Sequence, residues 1–136
     1  KAHVRYLAGL VLPKLMKKQI YLNETIEANF LNKDITEAIE IYSDLKTQHD
    51  DINFMPLINR IGYRLIHLDR TDDAIRLFKM NTMDNPQSAN CFDSLAEAYF
   101  TQGNLELAKS YYQKTLDLDP QSVHADKMLD KIRKSE

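Results

Sequence analysis

The chain has 136 residues, 43% of them hydrophobic and 28% charged, with a formal net charge of −2. That composition excludes a disordered tail, and the near-neutral balance gives no global field to recruit nucleic acid. A single cysteine, Cys91, excludes an internal disulfide and leaves the compartment open, and the longest apolar run, residues 6–12, falls far short of the roughly 20 residues that span a bilayer.

Residues 1–12 fit a short helix or a strand equally well. They read as an N-terminal segment, the tail of a preceding domain, or a strip (4–12) that packs against a second copy of the chain. Pro13 suits a first helical position, where its missing N–H is not needed. Leu15, Met16, Ile20, Ile26 and Phe30 then form an apolar stripe at helical spacing, with Lys14, Lys17 and Lys18 off it as a solvated face. Asn32-Lys33 breaks the pattern. Asp34 with Glu37 reads as a capping box that opens a helix over 35–48, with Ile35, Ala38, Ile39, Tyr42 and Leu45 on one side.

The polar stretch 47–53 precedes a helix over 55–68, whose apolar residues include Ile58, Ile61, Leu65 and Ile66. Asp69-Arg70-Thr71 turns the chain, with Thr71 or Asp72 as cap, and the return helix from Asp73 buries Ala74, Ile75, Leu77 and Phe78 before Pro86 stops it. Helices over 88–102 and 104–118 repeat the pair. Gly103 supplies the tight turn and Asn104 the cap. After Pro120, Ser122 opens a last helix with Val123, Ala125, Met128, Leu129 and Ile132 on one side and charges on the other. With no initiator Met and no cleavable signal pattern, the chain reads as a piece of a longer protein.

Equivalent residues return at a fixed interval. Pro86 and Pro120 stand 34 residues apart, as do Gly62 and Ala96, Ala74 and Ala108, and Phe78 and Tyr112. Small residues at Gly62, Ala74, Ala96 and Ala108 let two antiparallel helices cross closely, and pairs that cannot bury their own apolar faces must stack. This pattern resembles the tetratricopeptide repeat (TPR). The likeness rests on Leu95, Ala96, Tyr99, Gly103, Ala108, Tyr112 and Pro120 in one repeat, and on Ile61, Gly62, Ala74, Phe78 and Pro86 in the other. Phe92 and Ile58 stand where the family favours tryptophan. A third copy lies N-terminal and departs further, with Ile26 at the small-residue position and Asn29 at the tyrosine position.

The resemblance implies an all-α, right-handed superhelix of antiparallel helix pairs with a C-terminal capping helix. The expected divisions are a degenerate pair over 13–54, repeats over 55–88 and 89–122, and a cap over 123–136. A second resemblance, carried by Leu57 to Tyr63 and by Ser88 to Tyr99, is to the short TPR tail of some bacterial serine hydrolases. It implies an accessory module whose catalytic domain lies outside this chain.

In such modules the first helix of each pair lines a groove. The groove positions implied here are Asn23, Glu27 and Phe30; Asn59, Tyr63 and Ile66; Asn90, Asp93, Glu97 and Phe100 or Thr101; and His124, Lys127 and Lys131. Glu27, Asp93 and Glu97 make the middle acidic, and Lys127 and Lys131 make one end basic. The basic pattern that clamps an acidic peptide C-terminus in chaperone-binding TPRs is absent, so a basic or neutral-polar ligand is expected. The competing expectations are that these faces are simply solvated and that a lysine pairs with Glu97.

The four histidines form no H-E-x-x-H motif, and His49-Asp50-Asp51 reads as a solvated loop. Cys91 reads as a packing thiol. No nucleophile motif, phosphate loop or dinucleotide fingerprint occurs. The sequence therefore points to a non-catalytic scaffold with no cofactor or metal. Its expected partner is a protein, a peptide or a preceding domain, and self-association is the further possibility.

Overall fold

The computed structural model describes the backbone of residues 2–136 and the side chains of residues 13–136. Among the described residues there are seven α-helices and no strand: α1 (Ala2–Asn32), α2 (Ile35–Gln48), α3 (Met55–His67), α4 (Thr71–Asp84), α5 (Ala89–Gln102), α6 (Leu105–Leu118) and α7 (Val123–Ser135). They form two compact units, residues 1–50 and 51–136.

In the first unit α1 is a single helix of 31 residues, and Pro13 lies inside it rather than at its start. The expected choice between helix and strand falls to helix for residues 2–12, whereas residue 1 and any packing of the side chains of residues 4–12 lie outside the described residues. The expected apolar stripe holds only in the C-terminal half of α1. Leu22, Ile26 and Phe30 are buried, and the Phe30 ring meets Tyr42 of α2 at 6.0 Å between centroids. Leu15, Met16 and Ile20 are exposed, because α2, only 14 residues long, offers a much shorter packing surface. Phe30, a groove position by the family pattern, is instead fully buried core. Asp34 caps α2 by accepting from the Thr36 N–H, but Glu37 turns to Lys33 at 3.5 Å instead of closing a capping box.

In the second unit each helix packs on the next in sequence, and α3 also touches α5. The core is Ile58, Ile61 and Leu65 of α3, Ala74, Leu77 and Phe78 of α4, Leu95, Ala96 and Ala98 of α5, Ala108 and Tyr112 of α6, and Ala125 and Ile132 of α7. Gly62 has a specific steric role. A Cβ there would lie 2.2 Å from Phe78 Cε1, so the bare backbone of α3 seats the ring of α4. Val123, expected on the buried side of α7, is exposed.

The 34-residue interval extends to single hydrogen bonds. The α3–α4 turn is closed by Asp69 N–H to Ile66 O at 3.0 Å and Arg70 N–H to Leu65 O at 2.9 Å. The α5–α6 turn is closed by Gly103 N–H to Phe100 O and Asn104 N–H to Tyr99 O, both at 3.0 Å. Each turn needs a left-handed residue, which is Gly103 (φ 91°) in one and Asp69 (φ 59°) in the other. Glycine adopts that region freely and aspartate at a cost. Asp69→Gly is therefore expected to stabilise the second unit by about 0.5–1 kcal/mol, and Gly103→Ala to destabilise it by a similar amount. Urea unfolding of the two variants checks this; the same sign for both would contradict it.

Capping differs between the two turns. Asn104 accepts from Leu107 N–H, as expected, but at α4 neither Thr71 nor Asp72 caps. Arg70 holds the cap position, and its side chain reaches Asp73 at 2.8 Å. Ser88 and Ser122, again one interval apart, cap α5 and α7 through Cys91 N–H and Ala125 N–H. One buried polar residue had no sequence signal. Asn81 of α4 donates to Met55 O at 3.3 Å, tying the end of α4 to the start of α3.

Candidate functional site

Positions one interval apart in α3, α5 and α7 are brought side by side. Asn59 and Tyr63 leave α3 one turn apart, Asp93 and Glu97 leave α5 likewise, and α7 contributes His124, Lys127 and Lys131. The helices are held in this alignment by their buried faces, so the polar side chains meet without loops to position them.

The contacts run as a ladder across the three helices. Ser94 Oγ donates to Asn59 Oδ1 at 2.5 Å, joining α5 to α3. The Tyr63 hydroxyl donates to Glu97 Oε2 at 2.7 Å and lies 3.2 Å from Ser94 Oγ. His124 Nδ1 lies 2.9 Å and 3.0 Å from the two carboxylate oxygens of Asp93, joining α7 to α5. Lys131 Nζ stands 5.2 Å from the centroid of the Phe100 ring, and among the described residues neither Lys127 nor Lys131 pairs with Glu97.

Burial tunes these groups. It raises the Tyr63 pKa, Glu97 and Asp93 adding to the effect, so this hydroxyl stays a proton donor at neutral pH. Burial also raises the Asp93 carboxyl, and the His124 contact opposes it. Ser94, absent from the sequence reading, is the buried hinge of the ladder. Its neighbour along the helix, Leu95, carries the repeat pattern, which left this serine without a signal. A pocket of about 240 Å³ opens beside Asp93 and His124, with Asn90, Thr115, Asp119 and Ser122 on its walls.

Of the remaining sequence positions, Asn90 and Thr101 are exposed on α5, Phe100 is half-buried, and Lys127 is exposed on α7. Glu27, half-buried on α1, and Asn23, bonded to Gln19 at 2.8 Å, belong to the first unit. Ile66 is half-buried. Cys91 is buried, and burial raises its pKa, as befits a packing thiol. No helix among the described residues is long and apolar enough to cross a membrane.

The tetratricopeptide repeat model matches residues 89–122, which span α5, α6 and the turn into α7. Compared with curated proteins by sequence, the chain finds no match. Solved structures resemble it closely in fold. The first TPR of Spaghetti (RPAP3) bound to the HSP90 peptide SRMEEVD is 24% identical and covers 88% of this chain and 93% of its own, with a TM-score of 0.62. The Sgt2 TPR domain from Aspergillus fumigatus is 15% identical, covering 87% and 78%, with a TM-score of 0.61. The second TPR domain of human RPAP3 in complex with the HSP70 peptide SGPTIEEVD is 20% identical, covering 81% and 90%, with a TM-score of 0.58. The chain thus has a TPR-like all-α fold.

Proposed function

We propose that this chain is a non-catalytic protein-interaction scaffold that binds a peptide or a neighbouring domain on the face formed by α3, α5 and α7. In this reading residues 55–88 and 89–122 are two repeats, 13–54 a degenerate pair and 123–136 the cap. Structures of the same fold are held with peptides from HSP90 and HSP70, which supports the class of job. The observation that carries the reading is the ladder from Asn59 to His124. Rigid helices present amides, hydroxyls and carboxylates in one line, so little ordering cost remains to be met on binding.

The ligand preference follows from charge. Asp93 and Glu97 put two carboxylates at the centre of the face, one hydrogen-bonded to His124 and the other to Tyr63. An acidic peptide tail would meet like charges there, so the face suits a basic or neutral-polar segment. Lys127, Lys131, Asn90, Phe100 and Thr101 serve as flanking contacts. The structures compared above are TPR domains, and none of them favours the alternative of a hydrolase's accessory module.

Fluorescence anisotropy with a lysine-rich and a glutamate-rich peptide of equal length tests the preference. The basic peptide is expected to bind about tenfold more tightly, and the double substitution Asp93→Asn with Glu97→Gln is expected to erase the difference, since each lost close charge pair is worth about 1 kcal/mol or more. Tighter binding of the acidic peptide would refute the assignment.

A further inference from the structure

Two independent features converge beneath the ladder. The first is a donor set. Single ligand atoms of Asp93, Glu97 and His124 lie within 4.8 Å of one another. Asp93 and Glu97 sit one helical turn apart on α5, and His124 approaches from α7. The second is an orphan. Tyr112 of α6 is fully buried, and its hydroxyl has no hydrogen-bond partner. Its ring stands edge-on to His124, with centroids 5.9 Å apart. Buried hydroxyls normally have partners, so this one calls for an explanation.

We propose that Asp93, Glu97 and His124 bind a divalent transition-metal ion of the zinc, cobalt or nickel type. One imidazole nitrogen and two carboxylate oxygens are a donor set for these ions, and the site lacks the cage of six or more oxygens that calcium takes. Three donors at about 2.0–2.2 Å from a zinc ion stand roughly 3.4 Å apart, so closing on the ion takes side-chain adjustments of about 1 Å and no helix movement.

His124 binds through Nδ1, and any proton there leaves as the ion enters. Glu97 already has Oε2 fixed by the Tyr63 hydroxyl, which frees Oε1 for the metal. Asp93 then uses one oxygen for the ion. Tyr63 acts as a positioning residue that orients the Glu97 carboxylate, while the Tyr112 ring packs edge-on against the ligating His124. The pocket beside Asp93 and His124 leaves room for water to complete the coordination.

The test is calorimetric titration of the full chain with zinc chloride, repeated with cobalt chloride to read the visible absorption of the bound ion. One ion per chain is expected. His124→Ala and Glu97→Gln should each weaken binding by about tenfold or more, and Tyr63→Phe, which frees the Glu97 carboxylate, should weaken it by a smaller factor, up to about tenfold. His67→Ala, on the exposed side of α3, should leave it unchanged. Circular dichroism establishes that each variant is folded, and His124→Gln replaces His124→Ala if the latter is not. Binding that survives both His124→Ala and Glu97→Gln, tighter binding of calcium than of zinc, or no saturable binding would each overturn the site. The titration contains no peptide, so its failure leaves the interaction-scaffold reading standing.

Discussion

Replacing Gly62 by alanine is expected to destabilise the second unit, even though alanine is the better helix former. Helix propensity alone favours the change by about 1 kcal/mol. Against it, the new Cβ would lie 2.2, 2.4 and 2.9 Å from three atoms of the Phe78 ring, well inside any real contact. Phe78 is fully buried, so the ring has no solvent to turn into. Overpacking of this kind costs about 1–3 kcal/mol, and the three close approaches put Gly62 at the upper end. The net loss is therefore about 1–2 kcal/mol, and Gly62→Val should lose more. Combining Gly62→Ala with Phe78→Leu should cost less than the sum of the two single changes, because the shortened side chain vacates the space the methyl needs. Denaturant titration of the four proteins gives the coupling. Additive losses, or a stabilised Gly62→Ala, would show that the ring does not sit against this backbone.

Tyr112 is expected to divide its contribution sharply between ring and hydroxyl. Truncation to alanine removes a fully buried ring that packs against His124, and should cost about 3–5 kcal/mol. Removal of the hydroxyl alone, by Tyr112→Phe, should leave metal-free stability unchanged or raise it by about 1 kcal/mol, because a sealed hydroxyl without a partner is a penalty of about 1–3 kcal/mol. The usual expectation for a buried tyrosine is the reverse. A loss above about 1 kcal/mol for Tyr112→Phe would mean that the hydroxyl has a partner in the folded protein. Thermal unfolding in chelator separates this effect from metal binding.

Much of the fold was legible because a repeat has to reuse its solutions. Gly103 and Asn104 announced a turn and a cap, and both are present. The same interval pointed to the turn at Asp69 but not to its strain. Asp69 takes the place of a glycine, and an aspartate in a polar stretch looks the same in sequence whatever its φ. The apolar stripe of α1 misled for a related reason. Periodicity says which face is apolar, but not whether another helix is long enough to cover it, and Leu15, Met16 and Ile20 remain exposed. Phe30 was assigned to a groove by register with the repeats, yet Tyr42 packs against it.

The site was less legible. Asn59, Tyr63, Asp93, Glu97 and His124 could each be placed on a helix face from spacing. Their bonds could not be read, because partners such as Tyr63 and Glu97 lie 34 residues apart and meet only after the helices pack. The linear sequence by itself pointed to an all-α chain of seven or eight helices, most of their turns and the small residues that let them cross, since these depend on local backbone preference and on a repeated pattern of side-chain size. Only the tertiary structure decided which ring lies against Gly62, that Ser94 joins two helices, and that the Tyr112 hydroxyl is left without a partner. Those outcomes depend on distances between residues far apart in the chain, which no local preference encodes.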